Sequence, residues 1–205
     1  VIAEKPTVCR AIASAIGNMK LTNGYYQNDQ YIIVNAFGHL FTLSDIEDYE
    51  ENPDYKWKLE NIPCFPKDFK FKLVKNNRKY SSDGIEKKYN LIKELCNRDD
   101  VDTIVNAGDS DREGEIIVRL IVQNALKQEK RFLRIWLPDQ TEITINEQLN
   151  NLKDEKEYDN LANEGFARTY IDWLYGVNLT RYATLKTGTL LRVGRVIVPI
   201  VKAIY

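Results

Sequence analysis

The chain has 205 residues, 43% of them hydrophobic and 29% charged, with a formal net charge of −1. That is enough apolar material for a real core, in one domain or in one domain and part of a second. It excludes an indiscriminate polyanion binder held by bulk charge, and no apolar run approaches the ~20 residues of a membrane span.

In chain order, residues 1–3 form a short apolar strand that runs into Glu4-Lys5-Pro6. Thr7 then caps a helix to about Ile16, with Val8, Ala11, Ile12 and Ala15 on one face and Gly17 closing it. Residues 31–35 read as a strand, and Phe37-Gly38-His39-Leu40 as the turn leaving it. The stretch 45–75, rich in proline and aromatics, reads as an irregular excursion. Asp83 begins a helix to about Cys96. Residues 102–107 are an apolar strand leading into Gly108-Asp109-Ser110-Asp111. The helix that follows turns Ile116, Ile117, Leu120, Ile121 and Leu126 to one side. Residues 132–137 are a further strand and 141–152 a further helix. From 155 to about 186 no strand signal appears, and one long helix dominates.

Strand and helix in alternation predict an α/β fold, a mostly parallel sheet flanked by helices, followed by a mainly helical segment. The expected division is residues 1–152 and residues 153–205. Cys9, Cys64 and Cys96 are few, odd in number and widely spaced, which fits buried fillers in a reducing cytoplasm better than a disulfide framework or zinc site. From Phe166 onward Arg168, Arg181, Lys186, Arg192, Arg195 and Lys202 face Asp172 alone, an asymmetry that points to a nucleic-acid-facing segment. Val1 and Tyr205 both adjoin apolar stretches, so a longer parent chain is expected.

Two strand ends carry acids: Glu4 after the first, and Asp109, Asp111 and Glu113 after the strand at 102–107. In an open α/β sheet, ligands bind at the carboxyl ends of the strands. Two carboxylates one residue apart can converge on a hard cation, and a third from a neighbouring strand completes an oxygen-only site of the kind magnesium prefers. An isolated Asp-x-Asp would more often cap the following helix. Here four acids fall within 109–115, a crowding that raises pKa values unless a cation offsets it.

Ile2-Ala3-Glu4-Lys5-Pro6-Thr7, then Gly38-His39-Leu40, then Ala107-Gly108-Asp109-Ser110-Asp111-Arg112-Glu113-Gly114-Glu115 together resemble the Toprim domain of type IA DNA topoisomerases. Toprim alone also admits primases and nucleases; the Asp-x-Asp-Arg-Glu-Gly-Glu run is narrower. Trp57-Lys58-Leu59 with Ile62-Pro63 resembles the topoisomerase III branch. The resemblance implies a Rossmann-like Toprim sheet and a magnesium ion ligated by Glu4, Asp109 and Asp111, with Glu113 completing the acidic set. It also implies that Glu4 delivers a proton to the leaving 3′ oxygen and that Lys5 stabilises charge on the scissile phosphate. For His39, the only histidine, a place near DNA and a plain turn role both stay open.

Residues 167–181 resemble the helix that opens the family's DNA-gripping helical domain, and 191–199 its Ser-x-Gly-Arg-Val-Gln-Thr-Pro signature. Gly194, Arg195, Val196 and Pro199 match, while Arg192, Ile197 and Val198 replace serine, glutamine and threonine. Ile197 lacks the amide's donors and acceptor, and Arg192 offers a phosphate contact instead. The resemblance places Trp57, Arg168, Trp173, Arg181, Arg192, Val193, Gly194, Arg195, Val196 and Ile197 at single-stranded DNA, by stacking and phosphate contacts. For Arg168 an ion pair with Asp172, and for Trp173 a core position, are the competing readings. None of the tyrosines precedes a proline, so the family's nucleophilic tyrosine is expected in a further domain and this chain alone is expected to be inactive. Two other readings compete: a different Toprim phosphotransfer enzyme, such as a primase or nuclease, and a non-catalytic DNA-binding module.

Overall fold

The computed structural model describes residues 1–49, 55–75 and 82–205. Two compact units emerge, one of Val1–Thr42 with Leu73–Gly165 and one of Leu43–Lys72 with Phe166–Tyr205.

The first unit is built on a seven-stranded sheet. Its strands are Ile2–Ala3 (β1), Lys20–Thr22 (β2), Tyr25–Gln27 (β3), Ile32–Asn35 (β4), Thr103–Ala107 (β7), Arg131–Arg134 (β8) and Lys153–Asp154 (β9), in the order β2-β3-β4-β1-β7-β8-β9. The four central strands are parallel, with Ile2 opposite both Val34 and Asn106, and Val105 opposite Leu133. Antiparallel strands close both edges. This is the mostly parallel α/β sheet that the strand–helix alternation predicts. Strand order reverses about β1, so the carboxyl ends of β1 and β7 form a topological switch point, where a crevice opens for a ligand.

Helices Pro6–Ile16 (α1), Ser82–Cys96 (α2), Arg112–Ala125 (α3) and Glu142–Leu149 (α4) flank the sheet. On one face Val8, Cys9 and Ile12 of α1 and Ile145 of α4 bury Ala3, Ile33, Val105, Ala107 and Leu133. The period-2 alternation of the strands sends Asn106 and Arg134 to the opposite face, with α3. Cys9 and Cys96 are buried free thiols, and Cys64 is a partly buried one.

Several boundaries differ from the sequence reading. Helix α1 starts at Pro6 with Lys5 in the cap position, because proline suits the first helical turn, where its missing N–H costs nothing. The pair β2–β3 was not expected. It turns on Asn23 and Gly24, both at positive φ, the pairing that favours a two-residue hairpin. Leu126 is the C-cap residue of α3, and Ala125 is the last buried side chain of its apolar face. Strand β9 pairs with β8, and Glu155 is buried, within the first unit.

The chain leaves the first unit in Phe41–Leu43 (β5) and returns in Phe71–Leu73 (β6), which pair as a two-stranded sheet. Residues 50–54 of the expected excursion lie outside the described residues. The rest of it as far as Lys72, with two 3-10 turns at Ile46–Asp48 and Leu59–Asn61, contributes to the second unit. Helix Asp159–Thr187 (α5) continues into that unit, and the apolar stretch near the end of the chain forms a short helix, Ile197–Ile204 (α6). The second unit's core gathers Leu43, Ile46 and Trp173, with Tyr49, Phe69, Tyr170 and Leu174 around them. Phe69 stacks on Tyr170 at 4.3 Å between ring centres and meets Trp173 edge-on. Among the described residues no helix is long and apolar enough to cross a membrane.

Candidate functional site

Strand β1 delivers Glu4 and Lys5 to the carboxyl edge of the sheet, and β7 delivers Gly108 and Asp109 beside them. The Asp109 backbone N–H points to Glu4 Oε2 at 3.4 Å. The Lys5 ammonium binds the Asp109 carboxylate and lies 3.6 Å from Glu4 Oε1. Burial, and after it the charge of Asp109, raises the Glu4 pKa above the ordinary carboxylate range. The hydrogen bond to Asp109 raises that of Lys5.

The loop between β7 and α3 is packed without slack. A Cβ on Gly108 would lie 2.1 Å from the Gly114 carbonyl oxygen, and one on Gly114 would lie 2.4 Å from the Asp109 nitrogen. Only two glycines allow the loop and the first turn of α3 to approach this closely. Asp111 caps α3: its carboxylate accepts from the Gly114 N–H at 2.7 Å. Ser110 donates to the Leu137 carbonyl at 2.8 Å.

Of the expected cation ligands, Glu4 and Asp109 therefore meet, with Lys5 between them. Asp111 is near enough for its charge to act on Glu4, but its carboxylate is engaged as a helix cap. Among the described residues no three His, Cys, Asp or Glu side chains converge closely enough to hold a metal ion. Of the three expected ligands, Asp111 is engaged in its capping hydrogen bond and Asp109 is paired with Lys5. The donor chemistry still fits a hard divalent cation: three carboxylates at one sheet edge, two of them raising the pKa of a buried third. The Glu113 carboxylate lies 3.7 Å from His39 Nε2, both side chains about half exposed.

Residues the sequence reading passed over sit directly beneath the loop. Arg134, fully buried, donates to the carbonyls of Gly108 at 2.8 Å and Asp109 at 2.7 Å. Asn106 accepts from the Gly108 N–H at 2.9 Å and donates to Glu155 at 2.8 Å. Glu115, also fully buried, lies 2.9 Å from Arg134 Nε without hydrogen-bond alignment, and accepts from Arg119 at 2.6 Å. The signal for Arg134 was a cation inside the apolar strand Phe132-Leu133-Arg134-Ile135, which apolar periodicity alone does not weigh.

In the second unit the expected DNA contacts separate into two groups. Trp173 is buried, and its indole N–H donates to the Ser44 carbonyl at 2.9 Å. Arg181 is 3% exposed, paired with Glu47 and Asp45, and its guanidinium covers the Trp57 ring at 4.6 Å. Trp173 takes the core position that is its competing reading, and Arg181 also faces the unit's interior, because a helix aromatic and a long cation facing a core bury more surface there than in solvent. Trp57 is partly exposed and donates to Glu47 at 2.6 Å. Arg168 and Arg195 both reach Asp172, the ion pair foreseen for Arg168. Val193 is tied through its backbone N–H to Thr180 at 2.9 Å, which sets the turn before Gly194. Arg192, Val196 and Ile197 remain on the surface.

Residues 1–139 match the Toprim domain. The chain belongs to the Toprim family. In this Toprim chain, the first unit contains the whole of the matched span except residues 43–72. The chain is also 38% identical over 97% of its length to the DNA topoisomerase 3 of Bacillus subtilis, of which it covers 26%. It is 38% identical over its full length to that of Bacillus cereus and 35% identical to that of Staphylococcus saprophyticus, covering 27% of each. The Toprim chain thus spans about a quarter of the length of the curated relatives it matches.

Proposed function

We propose that this chain is the Toprim-bearing N-terminal part of a type IA DNA topoisomerase of the topoisomerase III kind. The observation that carries the reading is the meeting of Glu4, Lys5 and Asp109 across β1 and β7, in a chain 38% identical to named DNA topoisomerase 3 proteins. The parent reaction is cleavage of one DNA strand by a tyrosine through a 5′-phosphotyrosyl link, strand passage and religation. The nucleophile belongs to a further domain of the parent protein, which works in the cytoplasm.

Glu4, Asp109 and Asp111 would hold magnesium, which when bound supplies positive charge to the phosphate oxygens. Lys5 places a second, fixed cation at the same edge, suited to the charge that develops on a scissile phosphate. Glu4 would deliver a proton to the departing 3′ oxygen. Residues 1–152 act as the Toprim domain, and residues 153–205 begin a helical domain that grips single-stranded DNA. In it Arg192 and the 193–197 turn face the strand. The partly exposed ring of Trp57, backed by Arg181, would offer a surface for stacking.

Magnesium titration calorimetry on the chain and on Asp109→Asn tests the site. Binding that Asp109→Asn weakens supports the reading; binding that it leaves unchanged overturns it in favour of a non-catalytic DNA-binding module. A supercoiled plasmid tests the division of labour: relaxation by this chain alone would overturn the assignment of the nucleophile to another domain.

A further inference from the structure

We propose that Arg134, aided by Asn106, is a positioning residue for the acidic loop, holding the backbone of Gly108 and Asp109 so that the Asp109 carboxylate meets Glu4 and a divalent cation. The inference rests on the cation reading of that loop.

Arg134 lies on the α3 face of β8, fully buried. One guanidinium nitrogen reaches the carbonyls of Asn106 at 3.1 Å and Gly108 at 2.8 Å; the other reaches that of Asp109 at 2.7 Å. From the other side, the Asn106 amide oxygen takes the Gly108 N–H at 2.9 Å. Gly108 is thus held at both its N–H and its carbonyl, and Asp109 at its carbonyl. The guanidinium plane is itself fixed. Glu115 lies 2.9 Å from its Nε, and the stacked rings of Trp136 and Tyr158 cover it at 5.2 and 5.9 Å. A fork of several donors at set angles makes this arrangement; an ammonium, a point charge on a flexible stem, does not reproduce it.

Stability alone accounts poorly for the arrangement. A buried ion pair is a weak source of stability, since taking both charges from water offsets their attraction. Coulomb's law also runs the wrong way for a direct role, because a guanidinium beside a cation site repels the cation. Any gain in cation affinity from Arg134 must come from geometry. Partners that orient a ligand in this way are typically worth 10- to 100-fold in metal affinity.

The test uses the full 205-residue chain and Mn2+ as the probe, with free Mn2+ read by electron paramagnetic resonance and folding by circular dichroism. Arg134→Lys keeps the charge and loses the fork. The pair variant Glu115→Gln/Arg134→Met removes both charges and leaves the net charge unchanged. Arg119→Met is the control: Arg119 shares Glu115 and Glu155 but makes no hydrogen bond or ion pair with the loop among the described residues. Arg134→Lys and the pair variant are expected to bind Mn2+ about 10-fold or more weakly, while Arg119→Met melts earlier and binds like the parent. Should the pair variant fail to fold, Arg134→Lys decides. Unchanged affinity in a folded Arg134→Lys overturns the proposal, as does an equal loss in Arg119→Met, which would mean general loosening. Failure of the parent itself to bind Mn2+ would instead sink the cation reading, and this inference with it.

Discussion

Glu4 and Asp109, 105 residues apart in the chain, meet through the Asp109 N–H at 3.4 Å from the Glu4 carboxylate. Parallel pairing of β1 with β7 brings their carboxyl ends side by side, and Lys5 then bridges the two acids. Lys5 and a divalent cation compete for the same oxygens. Lys5→Met is therefore expected to tighten Mg2+ binding several-fold in calorimetry while weakening single-stranded DNA binding at low salt. Looser Mg2+ binding by this variant would mean that Lys5 organises the acids instead of opposing the cation.

Gly114→Ala puts a methyl group 2.4 Å from both the nitrogen and the carbonyl oxygen of the Asp109 backbone. Overpacking of this kind costs about 1–3 kcal/mol. The variant is expected to melt several degrees earlier and to lose divalent-cation binding together with stability. A Gly114→Ala chain with parental cation affinity would show that the loop can move off α3 at no cost to the site.

Glu155 has its carboxyl pushed up to about 8, first by burial and then by the neighbouring Glu115 carboxylate. Its folded-state proton affinity exceeds that of the unfolded chain, whose carboxyl titrates near 4.5. The stability this group contributes is full below that lower value and is lost as pH rises through about 8. Thermal melts from pH 5 to 9 should show the parent losing ground to Glu155→Gln as pH rises. A constant gap between the two would remove the buried proton from the account.

Arg181 and Arg192 should behave oppositely. Arg181 is buried over Trp57 with Glu47 and Asp45, so Arg181→Met should cost about 1–3 kcal/mol, the half-exposed partners keeping it below the full price of a broken buried pair. It should leave the salt dependence of DNA binding unchanged. Arg192 is exposed, with no ion-pair partner among the described residues. Arg192→Ala should leave the melting point alone and reduce the slope of log affinity against log salt by about one. Equal slopes for parent and Arg192→Ala would remove Arg192 from the strand's path.

Local chemistry made much of this protein legible in its sequence. Strand–helix alternation announced the α/β sheet, and the acids at 109–115 announced the site, because apolar periodicity and like-charge crowding are properties of neighbouring residues. The Asn23-Gly24 hairpin was equally legible and was passed over, its strands being three residues each and partly exposed. Only the tertiary structure decided which acids meet, since Glu4 joins Asp109 by strand order while Asp111 is drawn into a helix cap. Only it, too, turned Arg134 beneath the loop and sent Trp173 and Arg181 inward. The direction a side chain takes depends on what other strands and helices leave to be covered, and no window of sequence contains that.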